Sequence, residues 1–152
     1  MVSIKKELIV EASQATAFKV FTEQMDLWWP ASHHIGKTPV IRTVLEPYVK
    51  GRWYTQHEDG SENNVGHVLN WDPYELLILI WQINGDYQFD PGLFTEVEVH
   101  FIPESPKITR IKFEHRNLDR LSGSKVVESM DEGWGWILEL YKTHIDRILR
   151  ND

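Results

Sequence analysis

The spacing of hydrophobic and polar residues changes period several times along the chain. IKKELIVEA alternates, with Ile4, Lys6, Leu8 and Val10 on one face and charges mostly on the other, the mark of a half-buried strand. Ser13 suits an N-cap, and QATAFKVFTE then sets Ala17, Phe18 and Phe21 at helical spacing. MDLWWP adds a turn that Pro30 ends, and the polar loop ASHHIGKTP leads to a second strand, VIRTVLEP. From Gly51 to Arg116 a period of two returns in RWYTQH, NVGHVLNW, LLILIWQI, TEVEVHFIP and ITRIKFEHR. Lys50-Gly51, Asp59-Gly60, Asp72-Pro73, the longer NGDYQFDPGLF and ESPK separate these strands, and Asp-Gly is a strong hairpin signal. LLILIWQI is apolar on both faces and is predicted to lie centrally. Thr95, Val97, Val99 and Phe101 share one strand face, and Thr109, Ile111, Phe113 and His115 share another.

The last segment returns to helical spacing. Val126, Val127, Met130, Trp134, Ile137, Leu138, Tyr141, Ile145, Ile148 and Leu149 fall within an arc of about 140°, a stripe made to lie on a sheet. Ser122 or Ser124 is the expected cap. Gly133 and Gly135 each cost the helix about 1 kcal/mol relative to alanine. They flank Trp134, so the expected compensation is close approach of the ring and backbone to the sheet. Trp136 projects to the opposite side. The order of elements predicts an α+β fold over residues 1–152 as one domain. It has a curved seven-stranded antiparallel sheet around a long C-terminal helix, with two short helices after the first strand.

Composition narrows the function classes. No apolar run approaches the ~20 residues that span a bilayer, and the N-terminus lacks an apolar signal core, so we expect a complete cytoplasmic chain without membrane insertion. The absence of cysteine excludes disulfides and thiolate chemistry. A net charge of −7 argues against nucleic acid, since acidic residues interrupt Lys107, Arg110, Lys112, Arg116 and Arg120. The unusual feature is aromatic: seven Trp, six Phe and five Tyr imply a large interior not packed by aliphatics alone.

Candidate chemistry is sparse. The histidines His33, His34, His57, His67, His100, His115 and His144 show no helical i, i+4 pair, and His57 and His67 on one hairpin lack a third ligand, so neither a metal nor another cofactor is expected. Glu96 and Glu98 lie on a solvated strand face. His115 shares an inward face with Ile111 and Phe113 and is the weak catalytic candidate, as a general base. The alternative is a core histidine satisfied by a backbone carbonyl. Trp28, Trp53, Trp81, Phe113, Trp134 and Tyr141 converge if the helix crosses the concave sheet.

GRWYTQHEDGSENNVGHVLNWDPYELLILIWQI, TRIKFEHRNL and GWGWILELY together resemble the activator-of-heat-shock-protein-90-ATPase-like domains of the START-like (SRPBCC) superfamily. The most specific pieces are Gly51-Arg52-Trp53, Asp59-Gly60-Ser61-Glu62, Gly66 with Val68, Leu77 to Trp81, His115 and Gly133-Trp134. A double glycine is frequent in the family where this chain has Lys50-Gly51. The resemblance implies a helix-grip fold enclosing a cavity for an apolar ligand. The expected function is binding of a small hydrophobic or amphipathic molecule, lipid, polyketide or flavonoid-like. Its ligand residues are Trp28, Trp53, Trp81, Phe113, His115, Trp134, Leu138 and Tyr141, with Tyr141 or His115 supplying the polar contact. Two alternatives remain: a cyclase or hydrolase using His115 as base, and a chaperone-interaction module. The chain is expected as a monomer or homodimer.

Overall fold

The computed structural model describes residues 3–30, 38–86, 88–121 and 124–150. The elements are β1 (Ser3–Val10), α1 (Gln14–Thr22), α2 (Met25–Trp28), β2 (Val40–Leu45), β3 (Arg52–His57), β4 (Glu62–Asp72), β5 (Leu76–Trp81), β6 (Thr95–Ser105), β7 (Ile108–Arg116) and α3 (Ser124–Arg150). A 3₁₀ turn, Leu118–Arg120, joins β7 toward α3. Ser13 caps α1 as expected, its side chain accepting from the Thr16 backbone N–H at 3.2 Å. Of the caps expected for α3, Ser122 lies outside the described residues, as does the His33-His34 loop, and Ser124 is the first residue of the helix.

All seven strands form one antiparallel sheet in the order β1-β7-β6-β5-β4-β3-β2. β5, apolar on both faces, is the middle strand. Register shifts at Val40/Arg42, Trp53/Tyr54, Val68/Asn70 and Pro103/Ser105 bend the strands, and the sheet curls into a half-barrel. Its concave face carries Ile4 and Val10 of β1, Val97, Val99 and Phe101 of β6, and Ile111, Phe113 and His115 of β7, all buried. α3 fills the curl with Trp134, Ile137, Leu138, Tyr141 and Ile145, while Val126, Val127, Met130 and Ile148 pack at the margin. Each fully buried side chain of this size contributes about 1.5–3 kcal/mol, an upper value because the unfolded chain already hides some surface. Leu149, expected in the apolar stripe, is instead exposed, because the last turn of α3 runs past the core.

Two glycines in the sheet are fixed by space. A Cβ on Gly51 would lie 2.7 Å from the Glu46 carbonyl oxygen. The left-handed position of that turn belongs to Lys50, at φ 71°, which gives a physical reason for the family's preference for glycine before Gly51. Gly66 is the tighter site, since its Cβ would fall 1.6 Å from the Ile80 carbonyl oxygen. It pairs with Trp53 on one side and Trp81 on the other, and those indoles meet over it at 5.5 Å. Gly135, one of the two glycines in α3, behaves otherwise. A Cβ on Gly135 would meet only Lys6 Nζ, at an ordinary 3.8 Å, as Lys6 reaches across that turn to Asp131 at 2.5 Å.

Gly66→Ala is therefore expected to cost about 3 kcal/mol or more in urea denaturation, because backbone must move to admit the methyl group. Gly135→Ala is expected to gain up to about 1 kcal/mol from helix propensity. A loss at Gly135 would restore the close-approach reading.

Candidate ligand-binding site

Rings form a continuous chain through the interior. Phe21 and Trp28 each lie 5.2 Å from Tyr141, and Trp28 touches Trp29 at 6.0 Å. Trp29 in turn meets Trp53 at 5.8 Å and Trp134 at 5.6 Å, both edge to face. Trp134 continues to Trp81 at 5.8 Å and to Phe113 at 4.6 Å. The expected ligand residues thus fall into two linked groups. Trp53, Trp81, Phe113, His115 and Trp134 form one, and Trp28 and Tyr141 belong to the other, with Leu138 buried on the same helix. Trp53 and Trp134 are buried, whereas Trp29 and Trp81 are only partly buried and form the edge of the cluster toward solvent.

Sequence reasoning passed over Trp29 in favour of its neighbour. Pro30 carries the signal: a residue before proline is pushed out of helical conformation, and Trp29 adopts φ −69° and ψ 127°. That extended step turns its ring away from the path of α2 and into contact with Trp53 and Trp134.

His115 has partners on both ring nitrogens. Trp134 Nε1–H donates to Nδ1 at 3.1 Å, and Nε2 lies 2.9 Å from Thr95 Oγ1, whose hydroxyl donates to the Trp81 carbonyl at 2.9 Å. With the threonine hydrogen committed to Trp81, His115 must donate from Nε2, which assigns the neutral Nε2–H tautomer. Burial lowers its pKa from 6.5 to about 3. The imidazole is satisfied by side chains rather than by the backbone carbonyl expected, and its one free lone pair is occupied by the Trp134 indole. Thr95, read from the sequence only as an inward strand residue, is the orienting partner. Tyr141, the other expected polar contact, donates its hydroxyl to the Ala17 carbonyl at 2.8 Å, and burial raises its pKa.

The remaining titratable candidates are tied elsewhere. His57 Nδ1–H donates to the Thr38 carbonyl at 2.8 Å and Nε2 lies 2.7 Å from Thr55 Oγ1, while His67 Nδ1 lies 3.1 Å from Gln82 Oε1. No cluster that could hold a metal occurs among the described residues. Glu96 and Glu98 are not simply solvated: Arg116 bridges both across the outer face, at 2.6 Å and 3.0 Å, and holds the Glu98 carboxyl below the usual range. Two grooves on the surface, one lined largely by charged residues such as Lys5, Glu98 and Lys112, the other flanked by Glu11 and Asp146, contain no tryptophan.

A curled antiparallel sheet closed over one long helix, with an aromatic interior and few free polar groups, defines a helix-grip domain. The chain belongs to the family described as Activator of Hsp90 ATPase homolog 1-like protein, whose model matches residues 11–145. It is 32% identical to CalC, a self-sacrificing resistance protein from Micromonospora echinospora, over 95% of this chain and 94% of that one, with a TM-score of 0.72. It is 33% identical to Txn09, an anthrahydroquino-gamma-pyrone synthase solved as a complex, over 86% of this chain and 88% of that one, with a TM-score of 0.62. The Aha1 dimer from Colwellia psychrerythraea shares the fold at 14% identity, 95% and 96% coverage and a TM-score of 0.68. No curated protein matches the chain. No described helix is long and apolar enough to cross a membrane.

The depressed His115 pKa makes stability depend on pH. Below pH 6.5 the unfolded chain takes up a proton that the folded chain refuses until about pH 3. The contribution is whole above pH 6.5 and is lost on acidification at about 1.4 kcal/mol per pH unit. Between pH 7 and pH 5 the protein is expected to lose about 2 kcal/mol more than His115→Gln in urea denaturation. Equal slopes would mean that the imidazole charges inside the fold.

Proposed function

We propose that the protein binds a planar, largely apolar molecule of the oxygenated polycyclic type against Trp29, Trp53, Trp81 and Trp134. The observation that carries this reading is the convergence of four indoles at one end of the helix–sheet interface, two of them reaching solvent. Aromatic faces and edges favour flat rings over flexible chains, because offset and edge contacts add about 0.5–1.5 kcal/mol per pair beyond area burial. The family and the helix-grip fold support a ligand-binding domain in general, and the anthrahydroquino-gamma-pyrone named for one relative is a molecule of this shape. Binding rather than base catalysis is favoured by His115, whose lone pair is held by Trp134 and whose burial keeps it neutral.

The test is a panel of fatty acids, flavonoids and aromatic polyketides, followed by thermal denaturation and tryptophan emission. A flat aromatic ligand is expected to quench the emission and to stabilise the fold by about 2.7 kcal/mol at a hundredfold excess over its Kd. His115→Gln is expected to retain most of that binding. Absence of any shift across the panel would remove the reading.

A further inference from the structure

Nearly every polar atom in the aromatic interior is committed within the protein. Trp28 Nε1–H donates to the Val20 carbonyl at 2.9 Å, Trp81 Nε1–H to the Ile83 carbonyl at 3.0 Å, and Trp134 Nε1–H to His115. The Tyr141 hydroxyl is spent on Ala17. Trp53 differs. Its side chain is 1% exposed, and its Nε1–H has no hydrogen-bond partner among the described residues. Indole is a donor only, so this group cannot be satisfied by an approaching donor, and a buried donor left unmade is a standing cost that an acceptor relieves.

The position of Trp53 gives that donor a use. It sits in the cross-strand row Trp53–Gly66–Trp81, held there by a glycine that admits no side chain. Its described ring neighbours, Trp29 and Trp81, are the two half-buried indoles of the cluster. A molecule slipping in past those rings meets Trp53 behind them.

On the strength of the ligand-binding reading above, we infer that Trp53 Nε1–H is the polar anchor of the site, donating to a carbonyl or ether oxygen on an otherwise apolar, planar ligand. The site then selects quinone- or pyrone-like molecules over hydrocarbons of the same shape, because only the former pay back the unmade hydrogen bond.

Anthraquinone-2-sulfonate and anthracene-2-sulfonate share a tricyclic frame and a sulfonate and differ in the two carbonyl groups. Titrated calorimetrically into the wild-type protein, the quinone is expected to bind roughly three- to tenfold more tightly, the ratio one hydrogen bond supplies. In Trp53→Phe that ratio is expected to fall to about one, with the hydrocarbon losing no more than about threefold. A second measurement needs no variant: in wild-type protein labelled with ¹⁵N-tryptophan, one indole N–H resonance that is not hydrogen-bonded in the free protein should move downfield with the quinone and not with the hydrocarbon. Equal binding of the two compounds to the wild type, or a quinone complex in which no such resonance moves, overturns the inference while leaving the ligand-binding reading intact. Binding of neither compound overturns both.

Discussion

The hydrogen bond from Trp134 Nε1 to His115 Nδ1 joins α3 to the end of β7 on the concave face of the sheet, and much of the interior is arranged around it. In a dry aromatic environment a neutral bond of this kind has no water competing for either partner, so it fixes direction as well as distance. It sets the rotation of α3, which in turn presents Leu138 and Tyr141 to the core and leaves Trp136 half-exposed on the outside. It also decides the chemistry of His115. Nδ1 accepts, Nε2 donates to Thr95, Thr95 donates to the Trp81 carbonyl, and the relay ends on backbone. A histidine used in this way is architecture.

The same economy runs through the remaining polar groups. Tyr141 ties α3 to α1 through Ala17, Trp28 is bonded to Val20 of α1, and Lys6 reaches from β1 to Asp131. On the convex face Arg116 pairs with Glu96 and Glu98, and Arg110 with Glu7 and Glu104. Among the described residues the interior is left with aromatic surface, a partly open edge and the uncommitted indole donor of Trp53. On the proposed reading, such a site recognises flat shape and an acceptor oxygen, and its neutral, hydrogen-bonded groups offer little to a reaction that must move protons.

How far the residues alone revealed this depends on what each physical signal encodes. Alternation reports which face of a strand is buried, and it placed Thr95, Val97, Val99 and Phe101 together, with Thr109, Ile111, Phe113 and His115 beside them, all of them buried. The two-sided apolar run Leu76–Trp81 marked the middle strand, and the stripe on α3 marked its buried face apart from Leu149 in the last turn. Alternation carries no information about lateral register. The row Trp53–Gly66–Trp81 exists because a bulge after Trp53 sets the pairing, and the meeting of Thr95 with His115 depends on the offset between β6 and β7. Hence His115 could be singled out while its partners could not. Trp29 was hidden for another reason: its direction is imposed by Pro30, a local backbone effect outside any periodic pattern. Gly135 misled because a helical glycine implies close packing only when something occupies the missing Cβ position, and here Lys6 leaves room.

The central claim is that His115 is a neutral structural link between sheet and helix, so that the indoles bind and the imidazole does not react. The most direct measurement is the long-range ¹H–¹⁵N spectrum of the histidine side chains, followed from pH 7.5 to pH 4.5. The account predicts two well-separated ¹⁵N shifts for His115, with the proton on Nε2, unchanged across that range because its pKa lies at about 3. A ring whose two nitrogens converge in shift as it titrates near pH 6 would contradict it and return His115 to the role of general base.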